Sequence, residues 1–374
     1  MKLLIMMMFI SAGLFAEDIH KEFTSAPGKR LEMHLSTGGS IEIEGIDGNK
    51  VIVDVSSRGR DDDDNKIEFE ETAEGVIVTS HYSHWERNES GSLRFKVKVP
   101  KKYDLDLDSK GGGFTIAGVE GDLEGTTMGG ALELTQLKGK VHFKTMGGEI
   151  TLTKSEVDGE VKTNGGKVRL EDVVGNVSGH SMGGAVTYKN VTDRAGNGTG
   201  DVVKITTMGG EINVSDAPHG ADLSTMGGDV EVHSAGSFVK AKTMGGNIKI
   251  GDINGEVQAE TMGGDVDVTM TGNPAEGKRD VDLRSKGGDI TLYVPAGLSM
   301  DVDISIAYTR NSHYDRKSFA IESDFDLTQD RTSDWDDEYG TPRKYITAKG
   351  KIDGGKNRVH IETINGNVYL RKSK

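Results

Sequence analysis

Seven methionines occupy one place in a recurring tetrapeptide: Met128, Met146, Met182, Met208, Met226, Met244 and Met262 each follow Thr or Ser and precede Gly-Gly. A thioether is soft, polarizable and flexible, so a regular row of them suits an adaptable apolar contact stripe for a partner or glycan, or a Cu(I) site. The simpler alternative lays each Met along the groove beside the glycines, where it covers backbone. A second row follows three residues on, with Glu149, Glu211, Asp229, Asp265 and Asp289, and Asn247 among them. Paired carboxylates about 5–10 Å apart are the machinery of glycosidases. Catalysis needs one pair in a distinctive pocket, however, and a repeated row is not distinctive. A solvated surface is the plainer reading, with loose divalent-cation binding as the other.

The remaining constellations are weaker. Gly227-Gly228-Asp229-Val230-Glu231-Val232 lacks the third Gly and the spaced Asp of the Ca²⁺-binding nonapeptide. The run Asp61-Asp62-Asp63-Asp64, with Glu68, Glu70, Glu71 and Glu74, and a second acidic cluster from Glu322 to Glu338 read as solvated loops. His81 and His84 are three apart in a strand-like stretch, which puts them on opposite faces and makes a poor metal pair. The chain has no Cys, hence no disulfide, thiolate nucleophile or zinc-thiolate site, and no H-E-x-x-H or phosphate-loop sequence. A formal charge of −15 argues against a partner that is nucleic acid.

The elements that carry these rows follow from the repeat. Its Thr or Ser falls at 109, 127, 145, 163, 181, 207, 225, 243, 261 and 285, in steps of 18 except for 26 after 181 and 24 after 261. The longer steps place insertions near 194–200 and 273–278. Counting that residue as position 1, positions 6 and 8 are apolar, as in Leu132/Leu134, Ile150/Leu152 and Val266/Val268. Positions 15 and 17 form a second apolar pair, as in Val141/Phe143 and Val257/Ala259. Such alternation marks half-buried strands. Each unit is two short strands and two Gly-bearing turns, and it buries its apolar side only by stacking on its neighbours. The predicted fold is an all-β, single-stranded β-helix-like solenoid of 18-residue two-strand coils with irregular terminal caps. Parity turns the position-1 hydroxyls inward and the methionines outward. Gly-Gly is expected where the corner needs φ > 0 or close backbone approach, so Val at Gly227 or Gly228 is expected to break a corner.

Gly is 52 of 374 residues, about twice the usual ~7%, while aromatics are only 6%, thin for a single compact core. Residues 1–16 read as a signal peptide: Lys2, an apolar run too short for a comfortable membrane anchor, and Ala16 before Glu17-Asp18. No other stretch approaches the length of a membrane helix, so the mature chain is expected to be exported and without a transmembrane segment. The predicted organisation is signal peptide 1–16, an N-terminal β cap region 17–108, the regular repeat 109–294 and a C-terminal β cap region 295–374.

Several of these residues together resemble a known family. Gly39-Ser40-Ile41-Glu42-Ile43-Glu44-Gly45, the strand and proline of Val97-Lys98-Val99-Pro100, the Gly-Gly repeats, and Thr363-Ile364-Asn365-Gly366-Asn367-Val368 make the chain similar to the bacterial DUF4097 family of adhesin-type β-strand repeat proteins. It is similar also to the related head-GIN-domain adhesins. The resemblance spans nearly all of the mature chain. It implies a right-handed β-helix-like fold and an envelope or surface location, and it brings no catalytic residues. The near-perfect 18-residue spacing and the repeated Met depart from the family pattern. The expectation is therefore a non-catalytic adhesin or cell-envelope scaffold, periplasmic or at the cell surface, with no cofactor and with an envelope glycan or protein as partner. The alternatives are a β-helical hydrolase or lyase acting on polysaccharide, and a metal-responsive periplasmic protein.

Overall fold

A computed structural model describes residues 19–58, 65–82, 92–192, 202–309, 319–336 and 340–373, and every regular element among them is a β-strand. The leader 1–16, the Asp run 61–64, His84, the insertion 194–200 and Glu338 lie outside the described residues. The chain forms two compact units, divided after Gly130.

In the first unit, two rows of strands are built mostly from parallel pairs. Arg30–Leu35 lies between Gly75–Tyr82 and Asp104–Ser109, parallel to both, and Glu120–Thr127 follows parallel to Asp104–Ser109. In the other row, Ser40–Ile46 lies between Ser92–Pro100 and Phe114–Ala117, again parallel to both. Antiparallel strands close the outer side: Asn65–Glu71 on the first row, Lys50–Arg58 and then Ile19–Thr24 on the second. The coil made from 75–100 thus lies outside the coil made from 30–46, although it comes later in the chain.

The second unit repeats one parallel register. Leu132 pairs with Ile150, Ile150 with Val168 and Val168 with Val186, each 18 residues on. After the insertion Val186 pairs with Ile212, and the steps Ile212–Val230–Ile248–Val266 restore the period. The second row runs likewise through Val203, Ala221, Val239, Val257 and Val281. Because the side-chain period of a strand is two, one register fixes which residues point inward on every coil. Leu132, Leu134, Val141 and Phe143 and most of their counterparts are buried, with Val203 only half-buried, and each fully buried side chain of this size contributes roughly 1.5–3 kcal/mol. One coil trades sizes: Gly179 stands where others carry Phe143 or Val161, and the buried Tyr188 fills the space and accepts the Gly179 N–H at its hydroxyl.

The last coil is also out of chain order. Val281 pairs with Val359 and Ile290 with Val368, so residues 357–372 lie directly on the 281–294 coil. The intervening chain covers the outer side. Met300–Thr309 runs parallel to Asn357–Ile364, Ile321–Ser323 runs parallel to Val368–Lys372, and Arg343–Ile352 with Thr328–Arg331 completes that side antiparallel. The edge that continued stacking would leave open is therefore covered by Met300–Thr309 and Ile321–Ser323, with charged antiparallel strands outside the former, and covering an edge is a usual defence against edge-to-edge pairing.

The corners explain the Gly-Gly pairs, and the two glycines are not equivalent. A Cβ on Gly228 would lie 2.1 Å from the Gly210 carbonyl oxygen of the preceding corner, whereas one on Gly227 would have nothing closer than 3.5 Å. The same holds at Gly246, Gly264 and Gly288, where the oxygen is 2.1–2.2 Å away. None of these corner glycines has a left-handed φ, so close approach is the reason for glycine here; in the first unit Gly112 and Gly130 have φ of 89° and 78° as well. Close approach therefore locks the second glycine of each corner, while the first has room for a Cβ. Gly228→Ala should cost about 3 kcal/mol or more, while Gly227→Ala should stay within about 1 kcal/mol, as read from denaturant midpoints. Equal costs would refute the close-approach account.

Candidate functional site

Each corner hydroxyl is buried, and most bond both their own corner and the preceding one. Thr225 Oγ1 donates to the Gly210 carbonyl of the preceding corner at 2.8 Å and accepts from Gly228 N–H of its own corner at 3.3 Å. Thr243 repeats this with Gly228 and Gly246, Thr261 with Gly246 and Gly264, and Ser285 with Gly264 and Gly288. Thr363 carries the pattern into the last coil by donating to Gly288 at 2.7 Å. The hydroxyl row predicted to face inward does so, and it joins each corner to the one before.

The residue after each hydroxyl turns outward. Met128, Met146, Met182, Met208, Met226, Met244 and Met262 are 45–58% exposed, so each is partly covered and partly in solvent. Met33, Met270 and Met300, elsewhere in the chain, are fully buried. Among the described residues, the other exposed large apolar side chains are Tyr82 and Tyr293, at 41% and 40%, so the row is the chief apolar feature of the described surface. Five of these residues stand on successive coils of the second unit. Met208 N–H donates to the Met182 carbonyl at 3.0 Å, joining the two across the insertion, and Met244 N–H donates to the Met226 carbonyl at 3.3 Å. Asn164 separates this run from Met146 on one side, and Lys286 ends it on the other. His180, on the strand entering the Met182 corner, is held below the usual imidazole range, chiefly by burial, and is therefore neutral near pH 7.

The acidic row has a structural occupation that the sequence did not suggest. Asp229 Oδ1 accepts the backbone N–H of Asn247 at 2.6 Å, Asn247 Oδ1 accepts that of Asp265 at 2.9 Å, and Asp265 Oδ1 accepts that of Asp289 at 2.8 Å. Asp289 Oδ1 then accepts Asn367 N–H at 2.7 Å, so one side-chain ladder links five coils. Beside it is an open depression of about 300 Å³ lined by Glu211, Asp229, Glu231, Asn247, Lys249, Asp265 and Asp267. Lys249 Nζ is 3.1 Å from Glu231, a surface pair. Among the described residues no three His, Cys, Asp or Glu side chains are grouped to hold a metal ion. Asn at one rung shows that the ladder needs an oxygen acceptor and not a charge.

No protein-family model matches the chain, so membership of the DUF4097 family is not shown by this route. No curated protein matches it either. Three solved structures are similar to it: a "putative cell adhesion protein" from Clostridium sporogenes at 10% identity and TM-score 0.19, covering 96% of this chain and 100% of that one; a "putative adhesin" from Parabacteroides distasonis at 12% and 0.37, covering 75% and 98%; and a "putative adhesin" from Bacteroides fragilis at 11% and 0.23, covering 75% and 99%. At these scores the likeness carries no argument. No helix among the described residues is long and apolar enough to cross a membrane.

The acceptor role of the ladder separates two substitutions. Asp265→Asn should leave stability within about 0.5 kcal/mol, because the amide oxygen still accepts from Asp289, while Asp265→Ala should cost about 1 kcal/mol. Thermal unfolding of the two variants checks this, and a larger loss in the Asn variant would assign the row a need for charge.

Proposed function

We propose that this chain is an exported, non-catalytic β-solenoid that works by surface contact, as an adhesin or a cell-envelope scaffold. The observation that carries the reading is the row of half-exposed methionines held in register on rigid corners. Interfaces favour Met among residues of their buried core, and a flexible thioether adapts to an uneven partner. The parallel register of 18 residues and the out-of-order, antiparallel ends support a stacked coil with capped ends. The use of Asp229, Asp265 and Asp289 as backbone acceptors supports a structural row over a catalytic pair. Export rests on the sequence of residues 1–16, and an envelope glycan or protein is the partner this location supplies.

Binding of the mature chain to intact cells, peptidoglycan and a glycan array tests the proposal. Changing Met146, Met208, Met226 and Met244 to Ser should abolish binding while circular dichroism stays unchanged. Undiminished binding would move the contact surface elsewhere, and glycan cleavage that depends on the acidic row would replace this reading with the enzymatic one.

A further inference from the structure

The five-coil run Met182, Met208, Met226, Met244, Met262 is more than an apolar stripe. We infer that it is a binding site for a soft monovalent d¹⁰ cation, Cu(I) or Ag(I), held between thioethers of successive coils. The inference goes beyond the contact reading and does not depend on it.

The argument begins with spacing. Parallel strands repeat at about 4.8 Å, and the backbone bonds from Met208 to Met182 and from Met244 to Met226 put corner residues at that repeat. Twice a metal–sulfur bond of roughly 2.3 Å is close to the same length. An ion between two rungs therefore meets one thioether from each side in a nearly linear arrangement, with little movement of the backbone. Rotation about the Met side-chain bonds supplies the remaining adjustment.

Access and selectivity come from the neighbours. Each Met is followed by two residues without side chains, and each Met of the run is 45–51% exposed. Thioethers are soft neutral donors that select Cu(I) over hard or borderline ions. The chain has no Cys to compete for such an ion. The acidic depression bordered by Glu211, Asp229, Glu231, Asp265 and Asp267 belongs to the same coils and raises the local concentration of cations. The five rungs offer four gaps. Like charges one rung apart repel more strongly than those two rungs apart, so alternate gaps fill first and the run takes two ions.

Substitution by Leu distinguishes the two readings of the row, since it keeps the apolar surface and removes the sulfur. The full mature chain is titrated anaerobically with Cu(I) against the chromophoric chelator bicinchoninate, and the bound metal is examined by X-ray absorption. The expected result is withdrawal of two equivalents of Cu(I) and a sulfur-only first shell, with Ag(I) displacing the copper. Changing all five methionines of the run to Leu should abolish this with an unchanged circular dichroism spectrum and an unchanged apo melting temperature, and should leave any partner binding in place. Met146→Leu, beyond Asn164, should change nothing. The inference is overturned if Cu(I) stays with the chelator, if the first shell is nitrogen or oxygen, if the five-fold Leu variant binds as well as the native chain, or if Met146→Leu alone removes binding.

Discussion

The interaction on which the second unit depends is the pair of hydrogen bonds at a single buried hydroxyl. A Thr or Ser that accepts from its own corner and donates to the preceding one fixes two backbone turns at once. It can do so only if the second glycine of each corner lets the backbone of the next come within van der Waals contact. A buried hydroxyl left without either partner costs roughly 1–3 kcal/mol, so the pattern is strongly selected on every coil. The apolar pairs supply most of the burial energy, but they would tolerate many registers of similar hydrophobicity. The hydroxyl and the glycine together tolerate one.

From that constraint the exposure of the methionines follows directly. A corner residue whose predecessor must point inward and whose successors have no side chains has only one direction left, and its neighbours above and below do the same. Contiguous exposed apolar side chains are a feature of interaction surfaces. The Asp and Asn ladder is a second product of the same register. Side chains on one row that stand one coil apart can reach the next backbone N–H, and Asp229, Asn247, Asp265 and Asp289 do. The surface thus divides into a row engaged in structure and a row free to meet something else.

Much of this was legible in the sequence, for physical reasons that differ by element. Period and parity are local properties, so the inward pairs such as Leu132 with Leu134, the inward hydroxyls and the outward methionines could be read directly. Three features could not. Leu137, Ser155, Val173, Ala217, Ala235 and Ile253 form a third buried row where the sequence shows only a Gly-bearing turn, because their types vary too much to show a pattern. The distinction between Gly227 and Gly228 depends on a carbonyl 18 residues away in sequence. The out-of-order coils at 75–100 and 357–372 pair across long insertions, and no local periodicity reports that. The Asp229-to-Asn367 ladder is the most instructive case: composition suggested a charged surface, and the geometry uses the side chains as backbone acceptors.

The central claim is that successive corners stand in register, one rung apart, and the absence of Cys makes a direct test clean. Cysteines would replace methionines in pairs, with mild oxidation and a mobility assay under non-reducing conditions. A disulfide needs Cα atoms within about 4.4–6.8 Å, which one rung satisfies and two rungs do not. Met182→Cys with Met208→Cys, and Met226→Cys with Met244→Cys, should close quantitatively within one chain, while Met208→Cys with Met244→Cys should not. Equal closure of the two-rung pair, or failure of both adjacent pairs, would contradict the account.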